Sequence, residues 1–151
     1  MTQLLLAVGG AIAAVVVVVA ALARTALSVV VVSGPSMAPA LRPGQRVLVL
    51  RRSWARLRPG RIVVVSPADL DLPADPAGRR PRRLLVKRLA ALPGDPVPDP
   101  VRAAAGTTVV PGGQVVLLGD NPAFSTDSRL WGAVPATSIV GVVLDGVPLR
   151  G

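Results

Sequence analysis

The chain has 151 residues, 51% of them hydrophobic, and carries 17 Lys+Arg against 8 Asp+Glu, for a formal net charge of +9. The absence of Cys and His excludes cysteine proteases, a Ser-His-Asp relay, and the common thiolate and imidazole metal sites. Two Trp and one Phe are few for base stacking, and no nucleic-acid motif is present, so the positive charge suits anionic lipid headgroups or a solvated face better than nucleic acid.

The first predicted element is an anchor. Residues Leu4 to Ala23 form 20 consecutive apolar or small positions without a charge, enough at about 1.5 Å per residue to cross about 30 Å of hydrocarbon. Ala21-Leu22-Ala23 has the small-x-small form of a signal-peptide cleavage site, but no basic segment precedes it and the apolar run is long for a signal peptide. An uncleaved transmembrane anchor over 1–24 followed by one domain over 25–151 is therefore expected. Arg24, with no basic residue before it, weakly argues for a cytoplasmic domain.

Short β segments follow, separated by Gly/Pro turns: 27–32, 46–50, 61–65, 84–89, 107–110, 115–118 and 139–144. No helical stripe follows the anchor, which predicts a mostly antiparallel, partly closed β fold. Residues 66–83 and 93–106 read as Pro-rich loops. Arg51, Arg52, Arg56 and Arg58 form one basic cluster, and Arg79, Arg80, Arg82 and Arg83 a second. Trp54 and Trp131 suit either a membrane interface or the core.

Between the first two strands, the run Val29 to Val32 breaks into Ser33-Gly34-Pro35-Ser36-Met37-Ala38-Pro39. A hydroxyl at a strand end, held by a stiff turn, is positioned for attack, although such a serine is also a common turn former. In the strand 84–89, period-two alternation places Leu85, Lys87 and Leu89 on one face. Lys87 is the chain's single lysine; every other basic residue is arginine and every acidic residue is aspartate. An ammonium can be neutralised by burial whereas a guanidinium cannot, so a lysine between two leucines is a candidate general base. The alternative is a side chain that carries its charge out to water.

Three groups of residues together carry a family resemblance. Gly34, Ser36, Met37 and Pro39 resemble the nucleophile box of type I signal peptidases, the S26-type membrane serine proteases that use a Ser-Lys dyad. Val86-Lys87-Arg88 followed by Pro93-Gly94-Asp95 is similar to their lysine box. Gly119-Asp120-Asn121, Ser125, Asp127-Ser128-Arg129, Gly132 and Val134-Pro135 resemble their third box. Pro59-Gly60 before 62–65 and Val110-Pro111-x-Gly113 also fit, in the right order. With 23 residues between Asp95 and Gly119, the additional β domain of larger members is missing, as in small actinobacterial-type, mitochondrial-type or specialised maturation members.

The resemblance implies Ser36 as nucleophile, Lys87 as base, Ser125 as the hydroxyl that orients the lysine, and Asp127 with Arg129 as a supporting ion pair. It implies an oxyanion site at the backbone of Ser36 and Gly34. Gly34 stands where some relatives place a second hydroxyl donor, which bears on rate more than on reaction type. Ala40, Gln45, Arg61 and Ala91 also depart from the usual pattern, and none removes a reacting group.

The expected activity is cleavage of signal peptides from exported precursors by a single-pass enzyme of the plasma membrane. The resemblance places its domain on the outer face, against the weak charge argument. Its partners would be precursor proteins and the lipid bilayer, with no metal, cofactor or nucleic acid. A maturation peptidase dedicated to one partner and an inactive anchored binding module are the alternatives; a self-cleaving repressor would need a DNA-binding segment where the apolar run stands. Oligomeric state is not legible.

Overall fold

The computed structural model describes residues 2–51, 57–70 and 83–144 and, within its long helix, the side chains of 9, 10, 12–19, 21 and 24–26. That helix, α1, spans Thr2–Ala26 and leads directly into strand β1, Leu27–Val31. Every side chain from Ile12 to Val19 is exposed, with Val17 67% accessible. Eight consecutive positions cover all faces of a helix, so no described part of the chain shields this stretch. Among the residues whose side chains are described, no helical run is long and apolar enough to cross a membrane.

After β1 come β2 (Arg46–Arg51), β3 (Ile62–Val65), β4 (Leu85–Ala91), β5 (Gln114–Leu118), β6 (Val134–Pro135) and β7 (Ile139–Val143). They form a seven-stranded sheet in the order β1-β2-β7-β3-β4-β5-β6, and every pairing is antiparallel. The mainly β reading thus holds. β1 and β6 are the two ends of the strand order.

The run 107–110 is not a strand: Thr107 bonds locally to Val109, and only a single bridge, Pro96 to Val109, forms there. The expected loop 93–106 contains a 3-10 turn at Asp99–Val101 and the four-residue helix α2, Arg102–Ala105. Val97, Val101 and Val110 are buried in this region with Ala91 and Val116. Apolar valines spaced by prolines are enough to pin an irregular segment to the sheet. A second four-residue helix, α3, spans Ser128–Trp131. The residues 71–82, including Arg79, Arg80 and Arg82, lie outside the described part, as do Arg52, Trp54 and Arg56.

Burial follows the strand alternation. All four residues of β3 are buried, as expected for a strand covered on both faces. Val63 and Val65 join Leu89, Leu117 and Val142 in one apolar cluster, whereas Ile62 and Val64 join Met37, Val47, Val49 and Val86 in another. Trp131 packs half-buried against the first cluster, so it serves the core. Lys87 pairs with Val63 in register and so projects among the first cluster, on the face shared with Leu85 and Leu89.

Candidate active site

Strand β4 delivers the lysine, and β5 delivers the segment that meets it. Leu117 pairs with Leu89 and Leu118 with Arg88, so the next residue, Gly119, emerges beside Lys87. Only 4% of Lys87 is accessible, and its Nζ donates a hydrogen bond to Ser125 Oγ at 2.8 Å. Ser125 Oγ in turn donates to Asp127 Oδ2 at 2.7 Å. Burial pulls the lysine pKa below its ordinary value of 10.5; the negative charge of Asp127 opposes that shift and the positive charge of Arg129 adds to it.

Asp127 is fully buried and also caps helix α3, accepting from the Arg129 N–H. Its carboxylate takes a bidentate pair from Arg129, with Nε to Oδ1 at 3.0 Å and Nη2 to Oδ2 at 2.6 Å. The pair also clamps Gly119 from both sides: the glycine N–H donates to Asp127 Oδ2, and its carbonyl accepts from Arg129 Nη2. Burial alone would raise the Asp127 pKa, but the bonds from Arg129, Gly119 and Ser125 outweigh it and hold the carboxyl below its ordinary 3.8.

Ser36 enters from the turn after β1. Gly34 adopts φ +84°, a conformation that side chains disfavour, and turns the chain so that Met37 is wholly buried while Ser36 remains half-exposed. The Ser36 carbonyl accepts from the Asn121 N–H at 3.0 Å. A Cβ on Gly119 would overlap Ser125 Oγ and lie 2.7 Å from Ser36 O. The turn bearing Ser36 and the hydroxyl that holds Lys87 therefore flank the same α-carbon. Among the described residues, the Ser36 N–H has no backbone acceptor.

Two features of this site were not read from the sequence. Arg88, next to the lysine, binds Asp120 through Nε at 2.7 Å and Nη2 at 2.5 Å, and its Nη1 donates to Gly60 O at 2.6 Å. This ties the 119–121 turn to β4 and to the turn before β3. The other is the role of Gly119 as a point of close approach. A lone Asp following a glycine, and an arginine following the lysine, were the available signals, but a pairing across 32 positions has no local signature. Among the described residues no group of acidic side chains could hold a metal ion.

A family model described as "Signal peptidase, peptidase S26" matches residues 3–98 and 98–144. The chain belongs to the signal peptidase S26 family. It is 36% identical over 129 residues to the mitochondrial ATP-independent inner membrane protease subunit 1a of Arabidopsis thaliana, covering 80% of this chain and 70% of that protein. It is 37% identical over 117 residues to the mitochondrial inner membrane protease subunit 1 of Xenopus tropicalis, covering 75% and 64%. The probable signal peptidase I-1 of Synechocystis is 31% identical over 130 residues, covering 72% and 65%. The matches thus span about two thirds of the length of these relatives.

Within this family site, Gly119→Ala should be severe for so small a change. The added methyl must displace the Ser125 hydroxyl or the Ser36 carbonyl, and a misplacement of about 1 Å can reduce a rate by about 10²-fold. Cleavage kinetics together with a thermal melt will check this: the rate should fall by about that factor in protein that still unfolds cooperatively.

Proposed function

We propose that this chain is a membrane-anchored serine endopeptidase that removes signal peptides from exported precursors, with Ser36 as nucleophile and Lys87 as general base. The observation that carries this reading is a nearly inaccessible lysine whose Nζ donates to a neutral hydroxyl, Ser125. Because that bond uses an N–H, the lone pair of the uncharged amine is left for another proton donor. Ser36, from the turn that abuts Gly119, supplies it.

In the forward reaction, Ser36 Oγ attacks the scissile carbonyl carbon while its proton passes to Lys87 Nζ. The Ser36 N–H, near the positive-φ Gly34, stabilises the developing oxyanion. Collapse breaks the C–N bond, and Lys87 returns the proton to the leaving amine. Lys87 then takes a proton from water as that water attacks the acyl ester, and returns it to Ser36 Oγ as the ester C–O bond breaks, which frees Ser36 and leaves the amine uncharged again. Ser125 orients the amine, while Asp127 and Arg129 hold Ser125 and Gly119. The substrate strand pairs with a sheet edge beside Ser36.

Helix α1 anchors the domain as a single span in the plasma membrane, with the catalytic part on the outer face. Its support is the apolar run Leu4–Ala23 and the side chains from Ile12 to Val19, which face outward on every side. A wholly apolar surface of this kind is stable in hydrocarbon rather than in water. Several relatives are named mitochondrial inner membrane protease subunits rather than signal peptidases, and a maturation peptidase dedicated to one partner is the second reading. A panel of unrelated precursors separates the two.

The experiment is cleavage of a reporter precursor by the full chain in membranes, followed across pH. The base must be unprotonated, so the rate should rise with pH through an acid limb set by Lys87. Burial moves that limb below 10.5, and activity should level off above it. Absence of cleavage, or a rate that falls as pH rises through this limb, would refute the assignment.

A further inference from the structure

The strand register sorts the exposed arginines by height along the sheet, and this sorting reaches beyond catalysis. Helix α1 passes into β1 at Leu27, which pairs with Leu50 of β2. One residue further toward the helix on β2 is Arg51, which pairs with Gly141. Gly141 pairs with Val64, and Val64 with Val86. The next step in the same direction is the pair Val65 and Leu85, with Leu84 and Arg83 beyond it. Arg24, in the last turn of α1, completes this helix-proximal end.

Arg24, Arg51 and Arg83 are all exposed, and Leu84 is 48% exposed between Arg83 and the start of β4. Among the described residues, Asp120 bonds to Arg88, Asp127 to Arg129, Asp99 to Arg102 and Asp95 to the Leu92 N–H. The exposed Asp69, in the turn after β3, is an acidic group at this end and leaves its charge positive against three arginines. At the opposite end, Arg46 pairs with Val31, Arg42 lies in the turn before β2, and Arg58 accepts from the Arg61 N–H in the turn before β3. Those three are likewise exposed and carry the same charge, so they form a natural control.

We propose that the helix-proximal end of the sheet is a docking surface for an anionic lipid bilayer, with Arg24, Arg51 and Arg83 contacting headgroups and Leu84 entering the interface. The proposal rests on the reading of α1 as a membrane anchor. Charge complementarity selects the partner: basic side chains at the end where an apolar helix departs meet anionic headgroups, and an exposed leucine among arginines suits the boundary between headgroup and acyl chain. Lys87 lies in the register row of Leu27, through Leu50, Val142 and Val63. Docking would therefore hold the candidate base close to the bilayer surface, where a membrane-bound precursor is exposed.

The chain has no cysteine, so Leu84→Cys provides a single labelling position for an environment-sensitive fluorophore. The full chain is reconstituted in neutral phosphatidylcholine vesicles and in vesicles containing phosphatidylglycerol, and both are floated on a density gradient. Flotation with both lipids is expected; failure with both overturns the anchor reading itself. In floating protein, the label should shift to an apolar environment with the anionic vesicles and lose that shift in high salt.

The triple variant Arg24→Gln, Arg51→Gln, Arg83→Gln should reduce the docked-to-undocked ratio by roughly 100-fold, from about a factor of five per arginine at the surface. The variant Arg42→Gln, Arg46→Gln, Arg58→Gln should leave it within about twofold. A label indifferent to lipid charge, or equal losses in both triple variants, overturns the docking surface while leaving the anchor intact.

Discussion

Lys87→Arg abolishes precursor processing, as does Ser36→Ala, while both proteins remain folded and inserted: this is the result expected if the dyad assignment holds. Arginine preserves charge and much of the apolar stem but cannot release a proton at any pH the protein survives. Removing one member of a nucleophile-base pair reduces turnover by roughly 10³-fold or more. Processing by Lys87→Arg at the wild-type rate would eliminate lysine as the base. A third variant separates chemistry from folding. Lys87→Met fills the same space among Leu85, Leu89 and Val63 without an ionisable group, so it should be as inactive as Lys87→Arg yet no less stable than wild type.

The pH dependence of that stability has a definite sign. Burial lowers the folded-state pKa of Lys87, so the unfolded chain binds more protons between the folded value and 10.5. The penalty for keeping this lysine is therefore complete below the folded pKa and fades as pH approaches 10.5. The advantage of Lys87→Met, measured by chemical denaturation, should shrink with rising pH across that window.

Asp127→Ala should be the most destabilising single change at the site, by about 3–5 kcal/mol, the range found when one member of a buried pair is removed. It strips Arg129 of its bidentate partner and leaves the Gly119 N–H and Ser125 Oγ without their acceptor. It also removes the cap of α3. Because the carboxyl is held below 3.8 in the fold, its contribution is present above 3.8 and lost as pH falls through the folded value. Denaturation of the wild type and the variant at neutral pH and in acid should show the difference collapsing in acid. Activity should fall as well, since Ser125 would no longer be fixed beneath Lys87.

Much of this architecture is visible in the chain as text. Valine-rich runs bounded by Gly and Pro mark six of the seven strands to within a residue or two, because alternation and turn chemistry are local. The run 107–110 misleads for the same reason: Thr107-Thr108-Val109-Val110 has strand composition, but what decides its fate is whether a neighbour is in register, and only Val109 finds one. Strand β6 is two residues long, too short for any periodicity. At the site, the position of Lys87 between Leu85 and Leu89 follows from period two, whereas the Arg88–Asp120 bond and the crowding at Gly119 arise from how β4 and β5 meet.

The place of β7 between β2 and β3 has a consequence for when this protein becomes dangerous to its surroundings. Among the described residues, the strands nearest the helix share no hydrogen-bonded pairing with those bearing the lysine; Ile139–Val143 stitches them together. During synthesis, the turn with Ser36 and the strand with Lys87 emerge long before the stitch does. A half-made polypeptide thus holds both residues of the proposed dyad without a scaffold to align them, and under that proposal proteolytic competence waits for the last strand to slot home.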